Sequence, residues 1–124
     1  MSNFFTTQSD GEILTVHFTH AKILEETVIQ QISAALLALI DKTNEKNFLL
    51  DYSQVGFMSS SALGGLIKVN KKCKEAKINL KLCNIHPDIL QVFKITRLDK
   101  VLAIYPDTQS AYEAFKKTGL FFRK

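Results

Sequence analysis

Residues 48–66 are the most informative part of this sequence and read FLLDYSQVGFMSSSALGGL. The continuous apolar run at residues 48–50 is typical of a strand that is covered on both faces of an α/β sheet. Three serines follow at residues 59–61, where the pattern changes to that of a helix. A helix begins with backbone N–H groups that have no partner and with the positive end of its dipole. The segment therefore predicts a place suited to holding or receiving a phosphate.

The sequence before this segment predicts a hairpin and a long helix. Two β-prone runs, residues 4–9 and 13–19, are separated by Asp10-Gly11, which is a strong hairpin signal. From Glu25 to Lys42, apolar residues recur at helical spacing and form one stripe. We expect this stripe to pack on the sheet.

The second predicted helix follows the serines and covers residues 60–74. We expect it to bury four apolar residues while its lysines face water: Leu63, Leu66, Ile67 and Cys73. The run at residues 78–82 alternates apolar and polar residues, which indicates a strand with one covered face.

The last third of the chain predicts two more helices around one strand. Pro87 suits the first position of a short third helix, and residues 101–105 form the last strand. A final helix begins around residues 106–108 and runs through Phe115, with Gly119 as its expected stop. Alternating strands and helices predict an α/β fold over residues 1–124, a single domain with a mixed, mostly parallel sheet of about five strands and about four helices.

Composition limits the class of protein. The chain has 124 residues, of which 46% are hydrophobic and 23% charged, as in ordinary globular domains. Since no apolar run approaches the roughly 20 residues of a membrane span, we expect no integral membrane protein. Met1 is followed by polar residues rather than by a signal-peptide pattern, so we expect a cytoplasmic location.

The cysteines and lysines favour simple roles. Cys73 and Cys83 show no ligand spacing, and we interpret them as plain thiols rather than as a disulfide or metal site. No cofactor is expected. The net charge of +4 is spread along the chain, which does not indicate direct nucleic-acid binding. One lysine cluster at residues 68–77 is interpreted as a solvated helix face, with a patch facing an acidic partner as the alternative.

The residues do not favour an enzyme. A serine nucleophile needs a base in reach, and the sequence around Ser60 is not the Gly-x-Ser-x-Gly elbow. The histidines show no motif order: His17, His20 and His86. Gly64-Gly65 is not followed by the Gly-Lys-Ser/Thr of a phosphate loop. By residue type alone, one serine caps the helix and the others are solvated.

The order of residues in this segment resembles the signature of the STAS domain, which is shared by anti-sigma factor antagonists and the cytoplasmic tails of sulphate transporters. The antagonists usually read Asp-Ser-Ser-Gly-Leu-Gly, and the first serine is phosphorylated. Here residues 59–64 read Ser-Ser-Ser-Ala-Leu-Gly, so the resemblance implies phosphorylation at Ser60, with Ser59 left to cap the helix. The stretch Thr-Arg-Leu-Asp-Lys-Val at residues 96–101 also resembles the family's approach to its last strand.

The resemblance implies roles for neighbouring residues. The partner-binding residues would be Met58, Ser59, Ser60, Ser61 and Ala62. Asp51 matches the family's acid at the end of the strand, and Gly64 matches its glycine, so both are expected to have structural roles at the pocket.

The chain departs from the family pattern at three positions. Ser59 replaces the acid that usually precedes the phosphoserine, and Leu24 replaces an acid before the first helix, with Glu25 one step away. Ala62 stands where glycine is usual, which stiffens the start of the helix. Because the two missing acids would help to position the serine and the kinase, we expect kinase recognition or the phosphorylation rate to differ.

The resemblance implies a protein that acts by binding and is not itself an enzyme. The unphosphorylated antagonist would bind an anti-sigma factor that is also a serine protein kinase, and so release the sigma factor. Phosphorylation of Ser60 would end this binding, and a PP2C-type phosphatase would restore it. The alternative is a constitutive STAS scaffold, or a module that binds a small ligand or nucleotide without a phosphorylation cycle.

Overall fold

The computed structural model describes residues 4–10, 12–19, 22–23 and 25–117, in which strands alternate with helices. The strands are β1 (Phe5–Asp10), β2 (Ile13–Phe18), β3 (Lys22–Ile23), β4 (Asn47–Asp51), β5 (Phe57–Met58), β6 (Asn79–Cys83) and β7 (Ala103–Tyr105). The α-helices are α1 (Glu26–Lys42), α2 (Ser60–Glu75), α3 (Pro87–Ile95) and α4 (Thr108–Lys117), and a 3₁₀ helix covers Leu98–Lys100.

The main sheet has five strands in the order β1-β2-β4-β6-β7. The strands β1 and β2 form the predicted antiparallel hairpin, and the other neighbouring strands pair in parallel. The prediction of a mixed, mostly parallel sheet with four helices is confirmed. The sequence did not predict the parallel pair β3–β5, because two residues per strand are too few to show a periodic pattern.

Helices cover both faces of the central strand β4. Phe48 and Leu50 belong to a large apolar core that also includes residues of α1, α2 and α3. Leu49 belongs to a smaller core on the opposite face, where Ala111 and Phe115 of α4 pack. This arrangement confirms the prediction drawn from the continuous apolar run.

The helices α1 and α2 pack closely against each other beside the sheet. A Cβ atom built at Gly65 would lie only 2.5 Å from Ser33 Oγ, so α2 approaches α1 at a distance that only glycine permits without adjustment. Lys72 Nζ lies 3.2 Å from Asp41 Oδ1 and adds an ion pair between the exposed sides of the two helices. This contact fixes α2, and with it the serines at its start.

Two expectations about burial are wrong. Ile67 was expected in the core, but its side chain is 45% exposed. It lies one residue, or about 100°, past Leu66 and so falls outside the buried stripe of α2. The strand β6 was expected to have one covered face, but Lys81 on the second face is only 6% exposed. The rings of Phe115 on α4 and Tyr105 on β7 cover it.

The remaining boundaries differ little from the predicted ones. The last strand begins at Ala103 rather than at Val101, because the 3₁₀ helix occupies the residues before it. Gly11 of the hairpin signal and Gly119, the expected stop of α4, lie outside the described residues. Among the helices described, none is both long enough and apolar enough to cross a membrane.

Candidate functional site

The loop that leaves β4 is held against the core before it reaches the serines. Tyr52 N–H donates to the carbonyl of Cys83 at 3.1 Å, and Val55 N–H donates to the carbonyl of Tyr52 at 2.9 Å. Both side chains are buried, and the Tyr52 ring lies 4.9 Å from the Phe18 ring between centroids. The short strand β5 then pairs with β3 and leads directly into α2. The serines therefore follow an anchored loop.

Asp51, at the end of β4, collects hydrogen bonds from three neighbours. Its Oδ1 accepts from the Ser53 backbone N–H at 2.9 Å and from Asn84 Nδ2 at 2.9 Å. Its Oδ2 lies 2.8 Å from His17 Nδ1. Burial alone raises the pKa of this carboxyl group, but the hydrogen bonds from Asn84, Ser53 and His17 outweigh that effect and hold the pKa below its ordinary value.

Asn84 connects this carboxylate with the start of α4. The backbone of Asn84 has φ = 60°, a left-handed conformation that asparagine tolerates better than most residues. Its side-chain amide donates to Asp51 and also to Thr108 Oγ1 at 3.1 Å. The ends of β4 and β6 and the first residue of α4 are thus joined by one polar network.

The sequence reasoning found Asp51 but missed the residues that hold it. His17 was correctly placed on a strand, yet its contact with Asp51 was not predicted. His17 and Asp51 occupy paired positions on the parallel strands β2 and β4, a register that the assembled sheet shows and a local sequence pattern does not. The contribution of Asn84 depends on its left-handed backbone, which the sequence alone does not show.

The three serines at the start of α2 have different environments. Ser59 has the extended backbone of an N-cap residue, and its hydroxyl accepts from the Ala62 N–H at 3.4 Å. The prediction that Ser59 caps the helix is confirmed. Ser60 and Ser61, the first two helical residues, are exposed to solvent.

Ser60 and Ser61 face different neighbours, because successive helical residues differ by about 100°. Ser61 lines a surface groove of about 490 Å³ between α1 and α2, together with Lys68 and Gln30. Ser60 does not line this groove. Ser60 is exposed at the first position of α2, where a protein that approaches the helix start can reach it.

The structure shows the surroundings of three other predicted site residues. Ala62 was expected to contact a partner, but it is only 7% exposed and belongs to the core. Gly64 was expected to have a structural role, but a Cβ atom there would meet nothing within 4 Å. The glycine that the packing requires is Gly65. Met58 is half-buried and lines a cavity of about 30 Å³ between α1 and α2.

Neither residue 24 nor residue 59, where the family usually has an acid, is acidic in this chain. Ser59 occupies the position before Ser60, and Leu24 lies outside the described residues. Glu25, its neighbour, is exposed, and its side chain makes no capping bond to α1. Within the described part of the chain, no group of three or more potential ligand side chains could hold a metal ion.

The two cysteines lie in the core, far from solvent, and are free thiols. Burial raises the pKa of Cys73 to about 12 and that of Cys83 to about 11. Both thiols therefore stay protonated near neutral pH, which makes them poor nucleophiles.

Comparison with known proteins identifies the family. The model of the STAS domain matches residues 5–111, which is most of the chain. The chain belongs to the STAS domain family. The match includes the anchored loop, the three serines and all of α2.

Relatives of this STAS domain include anti-sigma factor antagonists. BtrV of Bordetella bronchiseptica, assigned as an anti-sigma factor antagonist, is 29% identical over 87 residues, which cover 70% of this chain and 74% of BtrV. The structure of an antagonist STAS protein from Planctomyces limnophilus has a TM-score of 0.79 and 25% identity, covering 89% of this chain and 96% of that one.

A third similar structure was determined in a phosphorylated form. It is SpoIIAA, a cell fate determinant of Bacillus, in its phosphorylated form. The TM-score is 0.67 at 17% identity, and the alignment covers 92% of this STAS domain and 98% of SpoIIAA. At this identity, the likeness shows that the fold is shared.

Proposed function

We propose that this protein is an anti-sigma factor antagonist whose binding is switched at Ser60. The unphosphorylated form binds an anti-sigma factor that is also a serine protein kinase, and the sigma factor is released. The kinase phosphorylates Ser60 and ends the binding, and a PP2C-type phosphatase restores it. The protein acts in the cytoplasm by binding and carries out no catalysis itself.

One observation carries this proposal: Ser60 is exposed at the first position of α2 while Ser59 caps the helix. Because the cap is made by Ser59, the Ser60 hydroxyl can be modified without removing a bond that holds the helix. The site is also rigid, since the loop before it is anchored and α2 packs against α1. A kinase therefore meets a hydroxyl in a fixed position.

A phosphate at Ser60 would act through charge. It adds about −1.5 to −2 charges beside the residues proposed to contact the partner, Met58, Ser59 and Ser61. One like charge on a partner at about 5 Å costs roughly 3 kcal/mol at an effective dielectric constant near 20, which is on the order of a hundredfold in affinity before screening by salt. This change is large enough to separate partners without refolding the protein.

The relatives support the proposal. BtrV and the Planctomyces protein are described as anti-sigma factor antagonists, and their aligned segments cover most of this chain. SpoIIAA shares the fold and has been observed in a phosphorylated form. A phosphorylation cycle is therefore compatible with this fold.

The first experiment is mass spectrometry of the protein purified from its own cells, grown with and without stress. We expect a phosphate on Ser60 whose occupancy changes with the conditions. If residues 59–61 are unmodified in every condition, the proposal of a phosphorylation switch at Ser60 is wrong.

The second experiment measures binding to the purified anti-sigma factor kinase by calorimetry. We expect Ser60→Ala to bind as the wild type does, and Ser60→Asp to bind at least tenfold more weakly. Gln8→Asp is the control, because it adds the same charge at an exposed residue of β1, the edge strand away from α2. Equal losses for the two aspartates would contradict a switch specific to Ser60.

A second candidate function is a constitutive STAS scaffold or ligand-binding module. The observation in its favour is that Ser59 occupies the place of the acid that usually precedes the phosphoserine. It predicts that the serines stay unmodified and that Ser60→Asp binds as the wild type does. Nucleotide binding is less well supported, because the order β2-β4-β6-β7 advances in one direction and gives no switch-point crevice.

A further inference from the structure

Four large apolar side chains on three neighbouring elements are exposed to solvent. They are Phe57 on β5 (53% exposed), Ile67 on α2 (45%), and Val92 (40%) and Ile95 (79%) on α3. We call these four residues the α2/α3 strip. Leaving apolar side chains in water forgoes burial energy, so a contiguous set of them indicates a surface that another molecule covers.

The direction in which Ile67 faces follows from the residues of α2 that face α1. Gly65 faces α1 through its contact with Ser33, and Lys72 faces α1 through its ion pair with Asp41. Ile67 is two residues past Gly65 and therefore lies about 200° around the helix, on the flank away from α1.

The neighbour on that flank is α3. The helix α2 connects β4 with β6, and α3 connects β6 with the next strand, β7. Both helices pack into the same core, so they lie side by side on one face of the sheet. The helix α3 also packs against β5, which carries Phe57. Val92 and Ile95 are three residues apart and share one side of α3.

The strip continues from the proposed switch residue. Ser60 and Ile67 are seven residues apart, which is almost two full helical turns, so they lie on the same side of α2. A partner that contacts Ser60 and extends along the helix reaches Ile67 next. The strip and the proposed phosphorylation site thus belong to one surface.

The rim of this surface is basic. Exposed cations follow the outer side of α2 and the end of α3: Lys71, Lys74, Lys94 and Arg97. Their carboxylate neighbours on these helices are Glu75 and Asp88. Among the described residues, Lys72 is the one α2 lysine that forms an ion pair with a carboxylate. A second copy of this surface would be repelled by the same charges.

We propose that the α2/α3 strip and its basic rim bind a protein whose contact surface is apolar at its centre and acidic around it. The identity of that protein as an anti-sigma factor rests on the proposed function, but its surface chemistry follows from the strip and the rim. Complementary charges speed association and orient the partner, and the apolar centre supplies affinity. The proposal also explains why a negative phosphate at Ser60 opposes binding.

Site-specific photocrosslinking tests the surface without assuming the partner. A benzoylphenylalanine is placed in the full chain at position 67, at position 95, or at position 8 as a control, and the protein is irradiated in its own cells. Gln8 is exposed on β1, the edge strand farthest from α3 in the sheet. We expect positions 67 and 95 to capture the same protein through an apolar segment flanked by Asp and Glu, and position 8 not to capture it.

The captured protein is then purified and its affinity is measured. We expect the double variant Lys71→Glu/Lys74→Glu to lose about tenfold at about 0.1 M salt and much less at about 0.5 M, because salt screens exposed charges. Ile67→Ser should lose about fivefold at both salt concentrations, since its contact is apolar. Lys46→Glu and Ala38→Ser are the matched controls, because both residues are exposed away from the strip.

The outcomes separate this inference from the proposed function. Capture of a protein that is not an anti-sigma factor, with the expected effects of charge and salt, supports the surface and refutes the function. If binding of an anti-sigma factor depends on Ser60 but is unchanged by substitutions at positions 67, 71, 74 and 95, the proposed surface is refuted and the proposed function stands. No shared capture, with binding of the strip to anionic phospholipid vesicles or to DNA instead, also refutes it.

Discussion

Replacement of Gly65 by alanine tests the contact that fixes α2 against α1. The added Cβ would lie 2.5 Å from Ser33 Oγ, well inside contact distance. The other near atoms, Ile29 Cγ2 at 3.7 Å and Ser33 Cβ at 3.8 Å, are at ordinary van der Waals distance. A Cβ at this position therefore forces the hydroxyl oxygen of Ser33 on α1 to move.

The expected change in the free energy of unfolding follows from two opposing effects. Alanine in place of a helical glycine gains about 1 kcal/mol in helix propensity. Overpacking a tight contact costs about 1–3 kcal/mol, toward the lower end if the Ser33 hydroxyl turns to another rotamer. We expect Gly65→Ala to lower the free energy of unfolding by about 1 kcal/mol. In the Ser33→Ala background, which has no hydroxyl, the same change should raise it by about 0.5–1 kcal/mol.

Gly64 provides the control, because a Cβ there meets no atom within 4 Å. Gly64→Ala should raise the free energy of unfolding by about 0.5–1 kcal/mol in either background. Urea and thermal unfolding measure all variants, and 1 kcal/mol corresponds to a few degrees in Tm at this size. Equal stabilisation by Gly64→Ala and Gly65→Ala, or no rescue by Ser33→Ala, would refute the reasoning.

Three more predictions concern the polar residues around the site. Asp51→Asn should lower the free energy of unfolding by about 1–3 kcal/mol at pH 7. Because the pKa of Asp51 is lowered in the folded protein, this loss, measured by urea unfolding, should shrink as the pH falls through the carboxyl range. Lys81→Met should leave the free energy of unfolding unchanged or raise it by up to about 2 kcal/mol at pH 7. Because burial lowers the pKa of Lys81, the stability gained by the variant in thermal unfolding should become smaller toward pH 10. A variant less stable than wild type by more than about 1 kcal/mol would contradict this prediction. Ser59→Ala should cost about 0.5–1 kcal/mol by removing the cap, and Ser60→Ala, which removes no cap, should unfold at the wild-type temperature.

The layout of the fold was predictable because it depends on periodic patterns. The apolar run at residues 48–50, the hairpin signal at Asp10-Gly11 and the apolar stripe of α1 each depend on many residues that agree. The wrong predictions of burial concern single residues whose surroundings no periodic pattern describes. Ile67 lies just outside the buried stripe of α2, and Lys81 looks solvent-facing by residue type although α4 covers it.

The candidate site was predictable only in part. The capping role of Ser59 follows from local chemistry and is confirmed by the structure. The difference between Gly64 and Gly65 depends on where α1 lies, which a local pattern does not encode. The hydrogen bonds of Asp51 join residues that are 33 and 34 positions away in sequence, so only the assembled sheet shows them.

A phosphate on Ser60 should change binding and leave the fold in place. It would lie in the first turn of α2, where backbone N–H groups and the positive end of the helix dipole favour a negative charge by about 0.3–1 kcal/mol. Ser60 makes no cap that the phosphate could break, and it does not line the groove with α1. The phosphorylated protein and Ser60→Asp should therefore unfold at the wild-type temperature or slightly above it, while their affinity for the partner falls. A drop in Tm of more than a few degrees, about 1 kcal/mol at this size, would show instead that the phosphate disturbs the fold.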